Sequence, residues 1–569
     1  MGDSEHLPLR AEEIECENGT TRTGDADGAA AKRSLGARAS RPRSQAIAVF
    51  LLALLVRVVT AWPITQPGYM DAYYYYHVAD SLYHGKGFVE EFVWNWLTIP
   101  ASLPHPSNVY WMPLISVLDY LSFLILGESF RAAQLPSILL SSLFPVLAYW
   151  VGWDIFGRAR YAWIMALLAI FSGVGILYWV TPDNFGPFAV VGFLSLVFTY
   201  KALRDTPWYH LPAGVMAGLA YLSRPDGVLF LATQLICVCM WLLERRGRRG
   251  QAGQSADGDR RVRWSSQITF SLGSVALFAL TIAPWLYRNQ LAFGAVWPSG
   301  GTKTLFLIDY NDIFAYGKEL SLEHYLNWGF TNILFSKIAA SAENALLVAE
   351  LMLFYMLPLA LIGFWILRRR VEYRPFFVQA ALLYVAMSWG FTFPGPRGSF
   401  LHSSVALLPF VYGATVVGLD HAIVAAATRL RHWQVPRAQR NFAVLLVAFA
   451  VLTSAGLAVR GMLTWNERYD RYEQLAAWLA PRTAPDEPVM LVDPPGYYYS
   501  SGRPGIVATN DDLPTSIQVA RRYGVRYIVL ELAHPWPWHQ WYLGNESPPE
   551  LVLRETMGDM RIYEVGGSE

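Results

Sequence analysis

Cysteine is scarce in this chain of 569 residues, with only Cys16, Cys237 and Cys239 present. Cys237 and Cys239 are two apart in an apolar run, where a helix turns them to different sides. No disulfide framework or cysteine zinc site follows. Charge is also nearly missing from the long apolar runs, while arginines crowd a few short loops. A formal net charge of +1 with that segregation excludes nucleic acid as a partner. There is no GxxxxGK[ST] phosphate loop, no Rossmann glycine pattern at a strand end, no HExxH and no GxSxG. Nucleotide-driven and serine-hydrolase chemistry are therefore disfavoured.

Apolar and aromatic residues are plentiful instead. They make up 54% and 15% of the chain, with a mean hydropathy of +0.26, beyond what a soluble core of this length requires. A spanning helix takes ~20 apolar residues. Runs of that kind lie near 46–63, 133–153, 161–180, 186–203, 208–222, 227–243, 267–287, 343–367, 376–393, 400–418 and 441–460, which makes about 11 transmembrane helices. With residue 45 placed inside, every dense basic cluster falls on the inner side: Arg158 and Arg160, Lys201 and Arg204, the segments 244–250 and 259–263, Arg368 to Arg374, and Arg429 to Arg440. The short run 111–126 holds Pro113 and Asp119, and counting it as a span would invert every later loop. It reads as a juxtamembrane helix in the interface.

The resulting layout has a disordered cytoplasmic tail (1–44), a transmembrane domain (45–460) with outer loops 64–132 and 288–342, and an extracytoplasmic part from 461 to 569. The last part changes character. An amphipathic helix near 466–480, strands at 489–492, 505–508 and 527–530, and a helix from Leu513 to Tyr523 capped by Asp511 or Asp512 indicate a small α/β domain. Asn545 begins an outward N-x-S sequon.

Two acids occupy matching places on the outer face. Asp71 follows the first span and precedes the tyrosine run that includes Tyr75; Asp183 follows the third span in a Pro-bounded turn with Asn184. Asp71 is either a carboxylate tuned as a base by partial desolvation or a solvated aspartate beside an interfacial tyrosine belt. Asp183 is either its partner, in positioning or in holding a divalent cation such as Mg or Mn, or a turn former. Arg224 and Arg397 sit in short outer loops, against the positive-inside tendency. A lipid phosphate would account for them, because a guanidinium meets phosphate with a two-pronged donor. Arg288 and Lys303 are further candidates, and loop 288–342, with Gly300 and Gly301, can act as a lid.

Asp71 after the first span, the HPSNVYWMPL segment (105–114), Asp183 and the α/β tail together resemble the GT-C glycosyltransferases, and within them the bacterial protein-mannosyltransferase-like group. The resemblance runs from about 46 to 569 in architecture, though its local motifs are short. It implies a polytopic α-helical enzyme of the plasma membrane that serves protein glycosylation or the cell envelope. The donor it implies is a polyprenyl-phosphate-linked sugar, and the acceptor a protein, lipid or glycan. It implies Asp71 as the base or acceptor-positioning acid, Asp183 as the acid of the second outer loop, Arg397 as the group reaching the carrier phosphate, and His105-Pro106 as the pair before the juxtamembrane helix. Ala72 stands where the eukaryotic mannosyltransferases have the second acid of an Asp-Glu pair, Asp183-Asn184 is not an acid-x-acid metal motif, and WWDYG is absent from the tail. Direct displacement with a single base would invert the anomeric centre. A transporter or flippase of lipid-linked sugars, and a non-catalytic membrane scaffold, are the rival readings.

Overall fold

The computed structural model describes residues 26–247, 257–429, 433–544 and 548–566. Cys16, Arg431 and the sequon at Asn545 lie outside the described residues. The chain forms two units, 1–48 and 49–569. The first is helical from Ala26, within the stretch expected as a tail, where alanine and arginine favour helix.

Helices α1 (Ala26–Ala61), α2 (Met70–Tyr83), α3 (Leu114–Leu126), α4 (Phe130–Phe156), α5 (Ala159–Ile170), α6 (Phe185–Arg204), α7 (His210–Ser223), α8 (Val228–Gly247) and α9 (Asp257–Phe293) are followed by Phe330–Leu351, Leu357–Leu367, Arg374–Val385, Leu408–Ala427 and Val435–Leu479. Among the described residues, seven helices are long and apolar enough to cross a membrane. The other four runs expected as spans are shorter or broken. Run 161–180 leaves the helix at Ile170 for two short turns, and run 343–367 is split at 352–356, where Leu353 and Phe354 take positive φ. Run 376–393 ends in a π-turn at 386–390, and α7 has only 14 residues. Hydropathy registers apolar content and cannot see these backbone breaks.

The break after α5 explains a charge in the first span. Arg57 is fully buried and donates to the carbonyls of Ile170 and Ala169 at 2.9 and 3.3 Å. It thereby satisfies acceptors that a helix C-terminus leaves without intrahelical partners. Elsewhere the bundle closes by near backbone contact. A Cβ on Gly363 would lie 1.9 Å from the Ala414 carbonyl, and one on Gly418 1.8 Å from the Leu359 carbonyl. Small residues let helices approach closely in this way.

Outside the bundle, β1 (Val89–Glu90) and β3 (His105–Pro106) pair antiparallel, flanking β2 (Phe92–Val93) in sequence. A six-stranded sheet has the order β2-β5-β4-β6-β8-β7, built with β4 (Val489–Leu491), β5 (Gly505–Val507), β6 (Tyr527–Leu530), β7 (Leu551–Met557) and β8 (Met560–Val565). The tail sheet therefore takes an edge strand from the loop 64–132, with Phe92 opposite Gly505. Asp512 caps the helix Leu513–Tyr523, while Asp511 accepts from the Tyr316 amide at 2.7 Å. Segment 493–505 contains a helix at Pro494–Ser501 capped by Asp493 and ended by Gly502 at φ 66°. The amphipathic stretch 466–480 continues the last apolar helix, which runs unbroken to Leu479.

At the β1–β3 corner, burial pushes the Glu90 carboxyl up to about 8, opposed by the Tyr74 hydroxyl, and burial lowers His105. Their 3.2 Å contact thus joins neutral partners at pH 7.

Two stability outcomes follow. Gly418→Val should lower the melting temperature of detergent-extracted protein, because the backbone contact has to open; overpacking of this kind costs about 1–3 kcal/mol. For Glu90→Gln, the unfolded carboxyl ionises near 4.5 while the folded one stays protonated to about 8, so the wild type loses stability across that window. The stability advantage of Glu90→Gln should therefore grow between those pH values and level off above them, as read by melting curves.

Candidate active site

A cavity of about 280 Å³ opens between helix ends at one side of the bundle and the loops 64–132 and 288–342. Its lining brings together Asp71, Tyr75, Asn184, Arg224, Arg397 and His402, with Trp94 and Trp111 stacked at 3.8 Å between ring centroids on another wall.

Asp71 lies in the first turn of α2, where the helix dipole and free amides favour a carboxylate. Burial raises its pKa nonetheless, with the charge of Asp183 adding to the rise and Arg224 opposing it. Among the described residues no side chain donates a hydrogen bond to Asp71, so its carboxylate is left to the cavity.

Asp183 is differently placed. It is fully buried and does not line the cavity. Its Oδ1 accepts from the Asn184 amide at 2.5 Å and its Oδ2 from the Tyr69 hydroxyl in a short hydrogen bond. Burial raises its pKa, while those two donors and Arg224 hold the rise down. The irregular segment after α5 puts it there: Gln134 donates to the Val180 carbonyl and Thr181 to the Pro67 carbonyl, both at 2.9 Å. Asn184 then extends the network, donating to the Tyr75 hydroxyl at 3.0 Å while its Oδ1 lies 3.0 Å from His402 Nδ1.

The basic candidates divide in two. Arg224 lines the cavity and is steadied by Asp226 (3.1 Å), Ser403 (3.3 Å) and the Ser399 carbonyl (3.3 Å). Arg397 also lines it, exposed and without an acid partner among the described residues, its guanidinium 5.1 Å from the centre of the Tyr310 ring. Gly398 follows at φ 120°, a conformation suited to glycine, and turns the chain so that Arg397 stands at this mouth.

The remaining candidates lie outside the lining. Arg288 donates to the Phe88 carbonyl at 2.9 Å and packs on Trp285. Lys303 donates to the Leu97 carbonyl at 2.6 Å, and His105 belongs to the Glu90 corner. These side chains fasten outer-loop backbone. Gly300 is packed where a Cβ would meet Val109 at 2.4 Å, so close approach accounts for it without a hinge.

Sequence reasoning did not single out Asn108, His402, Trp94 or Asn184's amide as cavity groups. Asn108, at φ 64°, carried the readable signal of an Asn before an aromatic pair. For a metal, the two acids are a poor set as they stand. Both Asp183 oxygens are engaged by donors, and among the described residues the one His/Asp/Glu group with three convergent ligand atoms is Asp80, His84 and Glu128, at the far end of α2.

Residues 105–252 match the family model described as dolichyl-phosphate-mannose-protein mannosyltransferase. No curated protein sequence matches the chain. Solved structures similar in fold include ArnT from Cupriavidus metallidurans bound to undecaprenyl phosphate, at 14% identity, covering 92% of this chain and 99% of that one, with a TM-score of 0.52. The Archaeoglobus fulgidus oligosaccharyltransferase, in complex with Zn and sulfate, shares 13% identity over 87% of this chain and 69% of its own, with a TM-score of 0.54. The same archaeal enzyme, AglB, with an inhibitory peptide and a dolichol-phosphate, gives a TM-score of 0.51 at 13% identity over 88% and 70%. Residues 105–252 are thus similar to that family's model, and the chain as a whole shares its fold with these solved enzymes.

Proposed function

We propose that the protein is a membrane glycosyltransferase moving a sugar from a polyprenyl-phosphate or pyrophosphate carrier to an acceptor hydroxyl on the extracytoplasmic face. The observation that carries this reading is one cavity holding Asp71, a carboxyl with no side-chain donor among the described residues, together with two arginines, Arg224 and Arg397. An acid that can take a proton and cations that can hold a phosphate are the two requirements of displacement at a glycosyl phosphate. The carriers bound to ArnT and AglB support the choice of donor.

In this mechanism Asp71 takes the acceptor proton as the acceptor oxygen bonds to the anomeric carbon. The bond from that carbon to the phosphate oxygen breaks, and the configuration inverts. The departing phosphate keeps the electron pair and is held by Arg397 and Arg224. Asp183 acts through its charge and through Tyr69 and Asn184, as a positioning residue. The Zn-containing relative keeps a divalent cation in view for the family, but the acids here do not form a ligand set on their own and no step is assigned to one. A transport reading would need a charge working inside the spans, and Arg57 is committed to the end of α5.

The test is release of polyprenyl phosphate from a panel of lipid-linked sugars in membranes at matched expression. Asp71→Asn should lose activity by about 100-fold or more, the scale of a general base; full activity would remove Asp71 from the chemistry. The base must be ionised, so the rate should rise with pH through the elevated Asp71 pKa. Asp183→Asn removes a neighbouring negative charge and should move that acid limb to lower pH. Arg397→Ala should weaken donor binding about tenfold or more, as loss of a charged hydrogen bond implies. Unchanged donor affinity would count against its phosphate role.

A further inference from the structure

The tail sheet offers a second concavity. β5, β4 and β6 run parallel in that spatial order, so the chain crosses from one side of β4 to the other between β5 and β6. Open α/β sheets bind ligands beyond the carboxyl ends of their strands at such a reversal. A crevice of about 70 Å³ lies there, lined by Val492 after β4, Asn510 after β5, His534 after β6, and Asn311 and Phe314 of the second outer loop.

An aromatic ledge adjoins it. His534 stacks on Tyr542 (ring centroids 4.2 Å apart, planes at 23°), and Trp536 stacks on His539 (4.8 Å, 14°). The two histidines are themselves nearly coplanar and joined by a 3.0 Å hydrogen bond, while His534 Nδ1 lies 2.7 Å from the Glu531 carbonyl. That carbonyl only accepts, so Nδ1 carries the proton and Nε2 accepts from His539. The ledge is thus held flat by its own hydrogen bonds, and Trp536 at its end is 75% exposed.

A pyranose ring has an apolar C–H face and a rim of hydroxyls. A fixed, open indole suits the face, and the amides of Asn311 and Asn510, each both donor and acceptor, suit the rim. The crevice is too small for a whole ring and takes one edge of it. A bilayer surface would use Trp536 but leave the amide-lined crevice without a partner.

One short turn connects this place to the cavity. Within Tyr310–Phe314, Tyr310 lines the Asp71 cavity, while Asn311 and Phe314 line the crevice. Asp309 caps the turn, and the Asn510 amide donates to the Phe314 carbonyl at 2.8 Å.

We propose that the carboxyl edge of the tail sheet is a saccharide-binding subsite, in which Trp536, His534, Asn510 and Asn311 hold a neutral oligosaccharide chain of the acceptor. The inference rests on the glycosyltransferase reading and narrows its acceptor to a glycan. The experiment uses full-length Asp71→Asn protein in nanodiscs, so that binding is read without turnover. The probes are maltohexaose, cellohexaose and α-1,6-mannohexaose, followed by saturation-transfer NMR and tryptophan fluorescence. At least one should bind saturably, about tenfold more weakly to Trp536→Ala and to an Asn311→Ala, Asn510→Ala double variant, each with an unchanged melting curve. No saturable binding by any of the three, or equal binding by the variants, overturns the subsite. So does quenching of Trp536 by brominated-chain phosphatidylcholine, read as wild type minus Trp536→Phe, since that reports bilayer contact. Because catalysis is absent from this assay, its failure leaves sugar transfer standing, and a wild type inactive on every donor leaves the binding result readable.

Discussion

Backbone that leaves the helix inside an apolar bundle has no water to bond to, so side chains must supply its partners. The candidate site depends on that constraint being met between α5 and α6. Arg57 takes the carbonyls at the end of α5, Gln134 takes that of Val180, and Ser141 takes that of Trp179 at 2.9 Å. Thr181 returns the favour to the other strand of the junction by donating to Pro67. With these bonds in place the chain can leave the α-helix between Ile170 and Phe185 and present Asp183 and Asn184 beside the start of α2. A continuous helix through 161–180 would carry neither residue to this position.

The two carboxyls illustrate how burial and hydrogen bonding set roles apart. Both are raised by desolvation, but the donors on Asp183 stabilise its anion, while Asp71 has a helix terminus and a distant arginine instead. A fixed negative charge on Asp183 makes the neighbouring acid a better proton acceptor. Asp119, fully buried on α3 with neither carboxylate oxygen hydrogen-bonded among the described residues, has its own pKa pushed up by that burial and by the charge of Asp183.

Much of this was legible in the residues. Apolar runs located seven of the long helices, and Asp71, Arg224 and Arg397, far apart along the chain, line one cavity together with Tyr75. Composition could read them because a charge at the edge of an apolar run is costly and needs a reason. What could not be read was the use of each cation. Arg288 and Lys303 have the same chemistry as Arg397, but they bond to the carbonyls of Phe88 and Leu97, and only the fold says which backbone lies within reach. The helix at Pro494–Ser501 was readable in principle, since Asp493 followed by proline is a cap and first-turn signal; the following glycines and tyrosines obscured it. The edge strand at Phe92–Val93 left no trace, because two residues carry no periodicity.

That strand has a consequence for how the protein is made. Phe92 and Val93 pair with Gly505 and Ile506, segments separated by more than four hundred residues of chain. At a synthesis rate of roughly 5–20 residues per second, the first outer loop waits on the order of 20–80 s for its partner. During that interval the strand edge at Phe92 and Val93, and the Phe92 ring against which Tyr498 packs, are without their cover. Pairing of this strand is therefore a late event in synthesis, and the first loop finishes its sheet only once residues 505–506 have been made.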